Sequence, residues 1–519
     1  MRYYAHIAKD GRRHPEAEHC RAARYAAESL TDAALSKAAY LAGLLHDQGK
    51  LTTAFQAYLE SAAQGEPVRR GSVVHTFAGV RLLLEHYHGP GPDFSYDDIT
   101  CELLAFAVGA HHGLFDCVDE NHASGFLHRC RSHSSEYDET VENLEAQCAA
   151  QDEVAALFQA SCAELTAVYE KIQNMLHPEF SQPSDLCFYV GMTARLLLSA
   201  VIQGDCRDTL EFMTGTVRPA PREDRRGLWR TCLRHMEQKL DAFPVQSQIQ
   251  KARRSISEQC RQFADRPGGI YQLKVPTGGG KTLSSLRYAL AHCARWNKAR
   301  IIFTAPLLTI LDQNAGVIRD FVGDDSIILE HHSDIVRPQE TPEQIDERTL
   351  LAEDWHAPII ITTLVQLLNT LLDGNKASIR RFQALTNSVI ILDEVQTVPA
   401  KMLTLFNLAV NFLSRVCGAT VVLRSATQPC LSKTEHPLCA EPIDIVPYDR
   451  EIWDAFRRTQ IQSAGPMRLA DVAAFARDIL GEADSLLIVC NKKDEAMFLY
   501  KALAGCVPHC YHLSAAMCM

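Results

Sequence analysis

The spacing of apolar residues changes abruptly at about residue 268, and this change limits the possible folds more than any other feature. From residue 15 to about 213 the spacing is helical, as in "AAYLAGLLHDQGK" and "DLCFYVGMTARLLLSAVI". Beyond 268, helical stretches alternate with short apolar or β-branched runs, namely "GIYQLKV", "ARIIFTA", "APIIITT", "SVIILDE" and "ATVVLRS". Strands that alternate with helices indicate a parallel sheet covered on both faces. We therefore predict an all-α part followed by an α/β part.

Length and composition agree with a large globular protein. A chain of 519 residues is too long for one hydrophobic core, and about three or four domains are expected. No apolar run approaches the roughly 20 residues that cross a membrane, and the first residues lack an apolar signal core. The eighteen cysteines are scattered without a C-x-x-C pair, which indicates reduced cysteine. We predict a cytoplasmic, monomeric protein without a membrane segment.

Charge is distributed unevenly along the chain. The net charge of −11 argues against nucleic-acid binding by the whole surface. Residues 134–170 hold nine Asp/Glu and no Lys or Arg, which favours a solvent-facing helical excursion. Residues 217–262 hold eleven Lys/Arg against five Asp/Glu. This basic stretch could follow a phosphate backbone, or it could be a solvated linker and helix.

Near the C-terminus, several potential zinc ligands cluster, namely Cys506, His509, Cys510, His512 and Cys518. Their spacing matches no standard zinc pattern, and we favour the interpretation without a metal.

A glycine-rich loop lies between the first predicted strand and a helix, in "GIYQLKVPTGGGKTLSSLRYALAHC". This is the context that a P-loop requires, because backbone N–H groups can then close on phosphates. Lys281 would reach the β- and γ-phosphates, and Thr282 would hold Mg²⁺. Val275 stands where the usual pattern has a small residue. The predicted nucleotide-binding residues of the loop are Thr277, Gly278, Gly279, Gly280, Lys281 and Thr282.

A later strand, in "SVIILDEVQ", ends in two carboxylates. Asp393 and Glu394 should therefore lie at the carboxyl edge of the sheet, where doubly wound folds bind ligands. Asp393 suits the Mg²⁺ shell, and Glu394 could orient or deprotonate the attacking water.

The helical half contains a second unusual set of polar residues. A lone histidine on an apolar face is more often a hydrogen-bonded core residue than a ligand. Several such residues on separate helices are harder to dismiss, because burying them is costly unless a pair of divalent cations compensates. Imidazole with carboxylate suits Mn, Fe, Co, Ni or Zn, whereas Mg²⁺ prefers more oxygen. The set consists of His19, His46, Asp47, His75, His111, His112 and Asp205.

The centre of this set lies in "LAGLLHDQGKLTTAFQAYL", residues 41–59, whose spacing predicts one amphipathic helix. Neighbours on a helix diverge by about 100°, so one residue of an adjacent pair can face each of two ions while Asp47 bridges them. Two ions about 3.5–4 Å apart can activate a water and stabilise an in-line phosphodiester displacement. Lys50, a predicted catalytic residue, would offset phosphate charge. The alternative is that Lys50 is a solvated residue at the end of a helix.

"HDQGK" with its flanking His and Asp resembles the HD superfamily of metal-dependent phosphohydrolases. "YYAHIAKDG", "LAGLLHDQGKLTTAFQAYL" and "SAVIQGDCRDT" look more narrowly like the HD nuclease domain of the CRISPR-associated nuclease–helicases of type I interference systems. His14 is the alternative to His19, Gln203 stands where the family often has an acidic residue, and His6 has no assigned role. The resemblance implies one metal held by His19, His46, Asp47 and Asp205, and a second held by Asp47, His75, His111 and His112.

The second half is similar to superfamily 2 helicases, with motifs in the same order. "TAPLLTILDQNA" and "ITTLVQLLNTL" resemble strand-contacting motifs, and "SATQP" resembles the segment that couples hydrolysis to strand movement. "DEVQ" resembles the ATPase box, which adds Gln396 to Asp393 and Glu394. "ILEHHSD" resembles the type I-C branch, and for its His331 and His332 we favour a surface loop over a metal site.

A second helicase lobe barely begins, because "SLLIVCNKKDEA" and "YHLSAAMCM" resemble only its first motifs. We expect weak nucleotide binding and impaired unwinding by this chain. The predicted domains are an HD nuclease domain (1–215), a basic linker (216–245), a first RecA-like domain (246–445) and an incomplete second lobe (446–519).

The resemblance implies a nuclease that cuts single-stranded DNA, coupled to an ATP-dependent 3′-to-5′ helicase and recruited by an RNA-guided, Cascade-type surveillance complex. The implied cofactors are two divalent ions (Mn, Co, Ni, Fe or Mg) in the HD site, and ATP with Mg²⁺ in the helicase site. Two alternatives remain: an HD phosphohydrolase that acts on nucleotides, and a non-enzymatic binder of the surveillance complex.

Overall fold

The structure is a computed structural model that describes residues 2–8, 10–69, 73, 75–91, 95–114, 126, 137–176, 181–215, 217, 224–332, 354–425, 431–507 and 509–514. The chain forms two compact units, residues 1–456 and residues 457–519.

The first 215 residues fold mainly as helices. A short antiparallel pair, β1 (Tyr4–Ile7) and β2 (Arg13–Pro15), precedes them. The helices are α1 (Glu16–His19), α2 (Ala23–Ser29), α3 (Ser36–Leu45), α4 (Thr53–Ala63), α5 (Phe77–Tyr87), α6 (Tyr96–Gly109), α7 (Tyr137–Gln147), α8 (Gln151–Met175) and α9 (Pro183–Thr214).

The long helix α9 is the central element of this helical part. Pro183 begins it, where the missing N–H removes no hydrogen bond, and Gly215 ends it at φ 70°. By length and composition α9 could cross a membrane, but 67% of its most apolar window is buried inside the protein. That burial is typical of a core helix.

The predicted continuous helix over residues 41–59 is wrong. Helix α3 ends at Leu45, Asp47 leaves the helical region at φ −121°, and Gln48–Leu51 forms a 3₁₀ turn before α4. Gly49 explains the break, because its N–H donates to the carbonyl of His75 at 2.9 Å. A Cβ at Gly49 would lie 2.4 Å from that oxygen, so only glycine fits this close approach.

The α/β part is built on a seven-stranded sheet in the order β5-β6-β4-β7-β8-β3-β9, and every recorded pairing is parallel. The strands are β3 (Ile270–Lys274), β4 (Arg300–Ala305), β5 (Ile328–His331), β6 (Ile359–Thr363), β7 (Ser388–Asp393), β8 (Thr420–Ser425) and β9 (Ile443–Asp444). The helices are α10 (Arg226–Asp241), α11 (Gln248–Phe263), α12 (Lys281–Trp296), α13 (Leu308–Val322), α14 (Leu364–Leu372), α15 (Lys376–Arg380), α16 (Leu403–Arg415) and α17 (Arg450–Ala455).

Hydrophobic side chains cover both faces of this sheet. On β7, Ile390 belongs to one buried cluster, and Val389 and Ile391 belong to the other. The first cluster also includes the cores of α3, α6, α8 and α9, so the helical part lies on one face of the sheet. The second includes Trp229 of α10 and residues of α11, α12 and α13. The predicted fold class, a helical domain followed by a parallel α/β domain, is confirmed.

Residues 457–519 contain two helices, α18 (Leu469–Leu480) and α19 (Lys493–Leu503), among the residues described there. The strand predicted for "SLLIVC" is wrong, because residues 485–490 carry no strand assignment. Leu487 and Val489 are 85% and 84% exposed, so these apolar residues pack against no described neighbouring strand.

Candidate metal centre and nucleotide site

The carboxylate of Asp47 lies at the middle of a cluster of histidines. Its Oδ2 atom is 3.4 Å from His19 Nε2 and 3.3 Å from His46 Nε2. Its Oδ1 atom is 3.2 Å from His111 Nε2 and 3.6 Å from His75 Nε2. The two oxygens therefore face two different pairs of histidines, as a bridging carboxylate would.

The two remaining predicted ligands complete the cluster, one on each side. Asp205 Oδ1 is 3.9 Å from His19 Nε2, and His112 Nε2 is 2.9 Å from His75 Nε2. The structure thus brings together all seven side chains of the predicted set. Two groups of potential ligands each have their ligand atoms within 4.8 Å of one another. One consists of His19, His46, Asp47 and Asp205, and the other of Asp47, His111 and His112.

Backbone carbonyls orient two of the imidazole rings. His46 Nδ1 donates to the carbonyl of Gly43, and His111 Nδ1 donates to that of Val108, both at 2.7 Å. With Nδ1 engaged in this way, Nε2 is the ring nitrogen that is left to bind a metal. Among the residues that the structure describes, these two buried Nε2 atoms and Asp47 Oδ1 have no hydrogen-bond partner. Unpartnered nitrogen and oxygen donors of this kind fit divalent transition metals.

Asp208, which the sequence analysis missed, orients the third ring. Its Oδ2 atom accepts from His19 Nδ1 at 2.7 Å, which directs Nε2 toward Asp47. The alternative residue, His14, has its Nε2 atom 3.5 Å from the same oxygen of Asp208. Asp208 follows Asp205 by three residues in α9, so helical spacing could have identified it.

The charged groups of the cluster shift one another's pKa values. Burial opposes the ionisation of Asp47, but Lys50 and His46 hold the pKa of Asp47 well below its usual value. Burial and Lys50 would lower the pKa of His19, but hydrogen bonds to Asp208 and Asp47 raise it to about 10. Lys50 is 4% exposed, with Nζ 2.6 Å from Asp47 Oδ2. It is therefore not the solvated helix end considered as its alternative.

The α/β part contributes a further cation to this centre. Lys376, at the start of α15, has its Nζ atom 3.6 Å from Asp205 Oδ2. In the same helix, Arg380 Nε donates to Gln203 Oε1 at 2.7 Å. Gln203, which departs from the family pattern, thus joins the two parts of the unit.

The glycine-rich loop begins α12 at the carboxyl end of β3. Gly278 and Gly280 adopt φ values of 85° and 81°, which other residues rarely adopt. A Cβ at Gly279 would lie 2.9 Å from the carbonyl of Pro276. Thr277 is exposed at the tip of this loop. The glycines are therefore required by backbone geometry, and the loop fits a phosphate cradle.

The polar side chains of this site are paired with one another. Lys281 Nζ is 3.5 Å from Glu394 Oε1, and Thr282 Oγ1 donates to Asn314 Oδ1 at 2.8 Å. Glu394 adopts φ 50°, and its Oε2 accepts from Gln396 Nε2 at 2.6 Å. Asp393, the predicted Mg²⁺ ligand, accepts from Arg424 through both of its oxygens.

A cavity of about 530 Å³ adjoins the loop. Leu240, Phe243 and Leu283 supply apolar surface, and Gln250 supplies an amide.

Four arginines line a second cavity, of about 400 Å³. Arg226, Arg230 and Arg261 belong to the basic stretch 217–262, and Arg295 lies outside it. Arg295 lies in the last turn of α12, whereas the glycine-rich loop precedes the first. This basic groove is therefore separate from the nucleotide site.

Other predicted features lie elsewhere. His331 ends β5 and accepts from Trp355 Nε1 at 3.2 Å, so the loop interpretation is wrong for His331.

In residues 457–507 and 509–514, no three potential ligands lie within 4.8 Å of one another. Cys518 and residues 426–429 of "SATQP" lie outside the described residues.

These observations define a class of protein: a helical domain with an HD-type histidine–aspartate centre, joined to a P-loop domain with a helicase-like ATPase box. Family models agree. Residues 5–188 match "Cas3, HD domain", and residues 248–434 match "DEAD/DEAH box helicase". By these two matches the chain resembles a CRISPR-associated nuclease–helicase, in which a Cas3 HD domain precedes a helicase domain.

Individual relatives are distant. The chain is 23% identical over 452 residues to a CRISPR-associated nuclease/helicase Cas3 of Haloferax volcanii, covering 75% of this chain and 45% of the relative. A crystal structure of T. fusca Cas3 with AMPPNP is 19% identical, with a TM-score of 0.49, covering 82% of this chain and 50% of the other. A chain of a CRISPR RNA-guided surveillance complex in a pre-nicking state is 20% identical, with a TM-score of 0.43, covering 81% and 46%. The chain thus spans about half the length of these relatives.

Replacing Asp208 by asparagine should weaken Mn²⁺ binding about 10- to 100-fold, because His19 loses the carboxylate that orients its ring. Isothermal titration calorimetry on metal-free protein would measure this change. Asp10→Asn is the matched control, since Asp10 is exposed and pairs with Arg12 at the surface. Equal Mn²⁺ affinity in Asp208→Asn and the unaltered chain would contradict this role.

Proposed function

We propose that this chain is a metal-dependent nuclease that cuts single-stranded DNA in type I CRISPR interference, joined to an ATP-dependent 3′-to-5′ helicase module. The observation that carries the nuclease proposal is the division of the Asp47 oxygens between two histidine pairs. A single-metal site would not need a buried carboxylate that faces ligands on both sides.

The proposed metal ligands are the seven side chains of the cluster. Two divalent cations bound there would supply an activated water and positive charge for a phosphodiester displacement. Asp47 would bridge them, and Lys50 would keep Asp47 ionised and in place. The nitrogen-rich donor set favours Mn, Fe, Co or Ni over Mg²⁺.

The DNA strand would approach the centre beside α15. Asp205 would turn toward a metal, and Lys376, whose side chain is 35% exposed, would then be free to contact a phosphate of the strand. The basic groove offers a second surface for phosphates, supported by four arginines around one cavity. Arg226 and Arg230 have no recorded ion-pair partner among the described residues.

The P-loop domain would bind ATP with Mg²⁺. Residues 277–282 would hold the phosphates, Glu394 would orient the attacking water, and Gln396 would complete the ATPase box. The cavity beside Gly278 and Gly280 would receive the base, because it combines apolar walls with the amide of Gln250. When bound, Mg²⁺ would neutralise phosphate charge.

The match of residues 5–188 to the Cas3 HD domain supports a partner, and we propose recruitment by an RNA-guided, Cascade-type surveillance complex. The type I-C branch, suggested by "ILEHHSD", stays a prediction, as do the monomeric state, the cytoplasmic location and the domain boundaries.

Asp47→Ala should abolish cleavage of single-stranded DNA, with a loss of more than about 100-fold, because both proposed metals lose a shared ligand. The assay supplies Mn²⁺, Co²⁺ or Ni²⁺ to the full chain, and a chelator should have the same effect. Asp10→Ala, at an exposed position, is the matched control.

Two outcomes would overturn this assignment. Hydrolysis of free nucleotides without cleavage of DNA would favour the phosphohydrolase. No hydrolysis, together with intact binding to a surveillance complex, would favour the non-enzymatic binder.

Lys376→Gln should raise the KM for single-stranded DNA cleavage about 3- to 10-fold at low salt, because one partly exposed phosphate contact is lost. Mn²⁺ affinity should not fall, since the cation opposing the metals is removed. Lys401→Gln, at an exposed position beyond the ATPase box, is the control. An unchanged KM, or a lower Mn²⁺ affinity, would contradict a role in binding DNA.

A further inference from the structure

Asp393 and Arg424 form a buried ion pair between adjacent strands. They stand opposite each other in the parallel pairing of β7 and β8. Arg424 Nε donates to Asp393 Oδ1 at 2.7 Å, Nη2 donates to Oδ2, and Nη1 donates to Ser285 Oγ at 3.0 Å. Asp393 is 4% exposed and Arg424 is 2% exposed. The guanidinium is thus held in one orientation by two neighbouring elements.

This pair has a clear electrostatic consequence. A buried carboxylate needs a counter-charge, and a two-pronged guanidinium is the strongest one that a side chain can supply. In the proposed nucleotide site, the same carboxylate would hold Mg²⁺. Arg424 and Mg²⁺ are therefore alternative counter-ions for Asp393.

Other polar residues of the nucleotide site also contact one another, and these contacts extend from Arg424 to the ATPase box. Lys281, proposed to contact phosphates, lies 3.5 Å from Glu394. Ser425, next to Arg424 in β8, donates to Gln396 Oε1 at 2.5 Å, and Gln396 contacts Glu394. A displacement of Arg424 would therefore reach Ser425 and the ATPase box through direct contacts.

We propose that Arg424 is a positioning residue that neutralises Asp393 while Mg²⁺ is absent, so that binding of Mg²⁺ with nucleotide must exchange this contact. Arg424 thereby lowers the affinity of the site for Mg²⁺. It also links the binding of Mg²⁺ to the position of the end of β8. This inference rests on the proposed nucleotide site.

A purely structural ion pair makes a different prediction. If Arg424 served only the stability of the sheet, its loss would affect the protein equally with and without Mg²⁺. If it competes with Mg²⁺, the cation should compensate for its absence. The dependence on Mg²⁺ therefore separates the two roles.

The experiment measures binding of a fluorescent ADP analogue to the full chain by anisotropy, in EDTA and in saturating Mg²⁺. The enhancement of nucleotide affinity by Mg²⁺ should be at least about fivefold larger in Arg424→Met than in the unaltered chain. Affinity in EDTA should stay within about twofold, since the phosphate-binding loop is unchanged. This readout does not depend on the HD centre, because only nucleotide binding is recorded.

Two variants serve as controls. Asp393→Asn with Arg424→Met should lose the extra enhancement, because the carboxylate that Mg²⁺ needs is gone. Lys281→Ala should weaken nucleotide binding in both conditions.

Each outcome decides between the roles. An enhancement in Arg424→Met no larger than that of the unaltered chain overturns the inference but leaves the nucleotide site standing. Absence of nucleotide binding by the unaltered chain overturns both.

If Arg424→Met is poorly folded, thermal unfolding gives a second test. Mg²⁺ with ADP should raise its Tm more than that of the unaltered chain, and Arg424→Lys, which keeps the charge without the two-pronged contact, should show an intermediate rise. Equal rises in all three proteins overturn the inference.

Discussion

The buried carboxylate of Asp47 is the constraint on which the rest of the helical part depends. It is 1% exposed and sits where α3 has ended, within reach of four histidines and Lys50. A carboxylate in this position is stable only if cations or hydrogen-bond donors surround it on every side. The break after α3 leaves Asp47 at this position, and Gly49 allows the close approach of His75. Hydrogen bonds at Nδ1 orient the rings of His19, His46 and His111 toward the same carboxylate.

Helix α9 extends this constraint to the sheet domain. It carries Asp205 and Asp208 beside the histidines, and Gln203 toward Arg380 of α15. Lys376, from the same short helix, lies against Asp205. The proposed nuclease centre and the P-loop domain are therefore joined by contacts between α9 and α15 and by a continuous hydrophobic cluster. A change in the position of α15 would therefore alter the contact between Lys376 and Asp205.

Much of this arrangement could be predicted from the sequence, because the relevant patterns are local or rest on recognisable motifs. The seven clustered side chains, the glycine-rich loop and the fold class belong to this group. Asp208 was missed although it lies one helical turn from Asp205. Arg424 could not be foreseen, because its pairing with Asp393 depends on which strands become neighbours. The strand expected at 485–490 failed because an apolar run forms a strand only when another strand pairs with it.

Asp47 is proposed to join two cation sites. Anomalous diffraction at the manganese edge, from crystals of the full chain grown with Mn²⁺, would locate each bound ion. Two peaks about 3.5–4 Å apart are expected, one beside each oxygen of Asp47. A single peak, or two peaks of which neither contacts Asp47, would contradict this proposal.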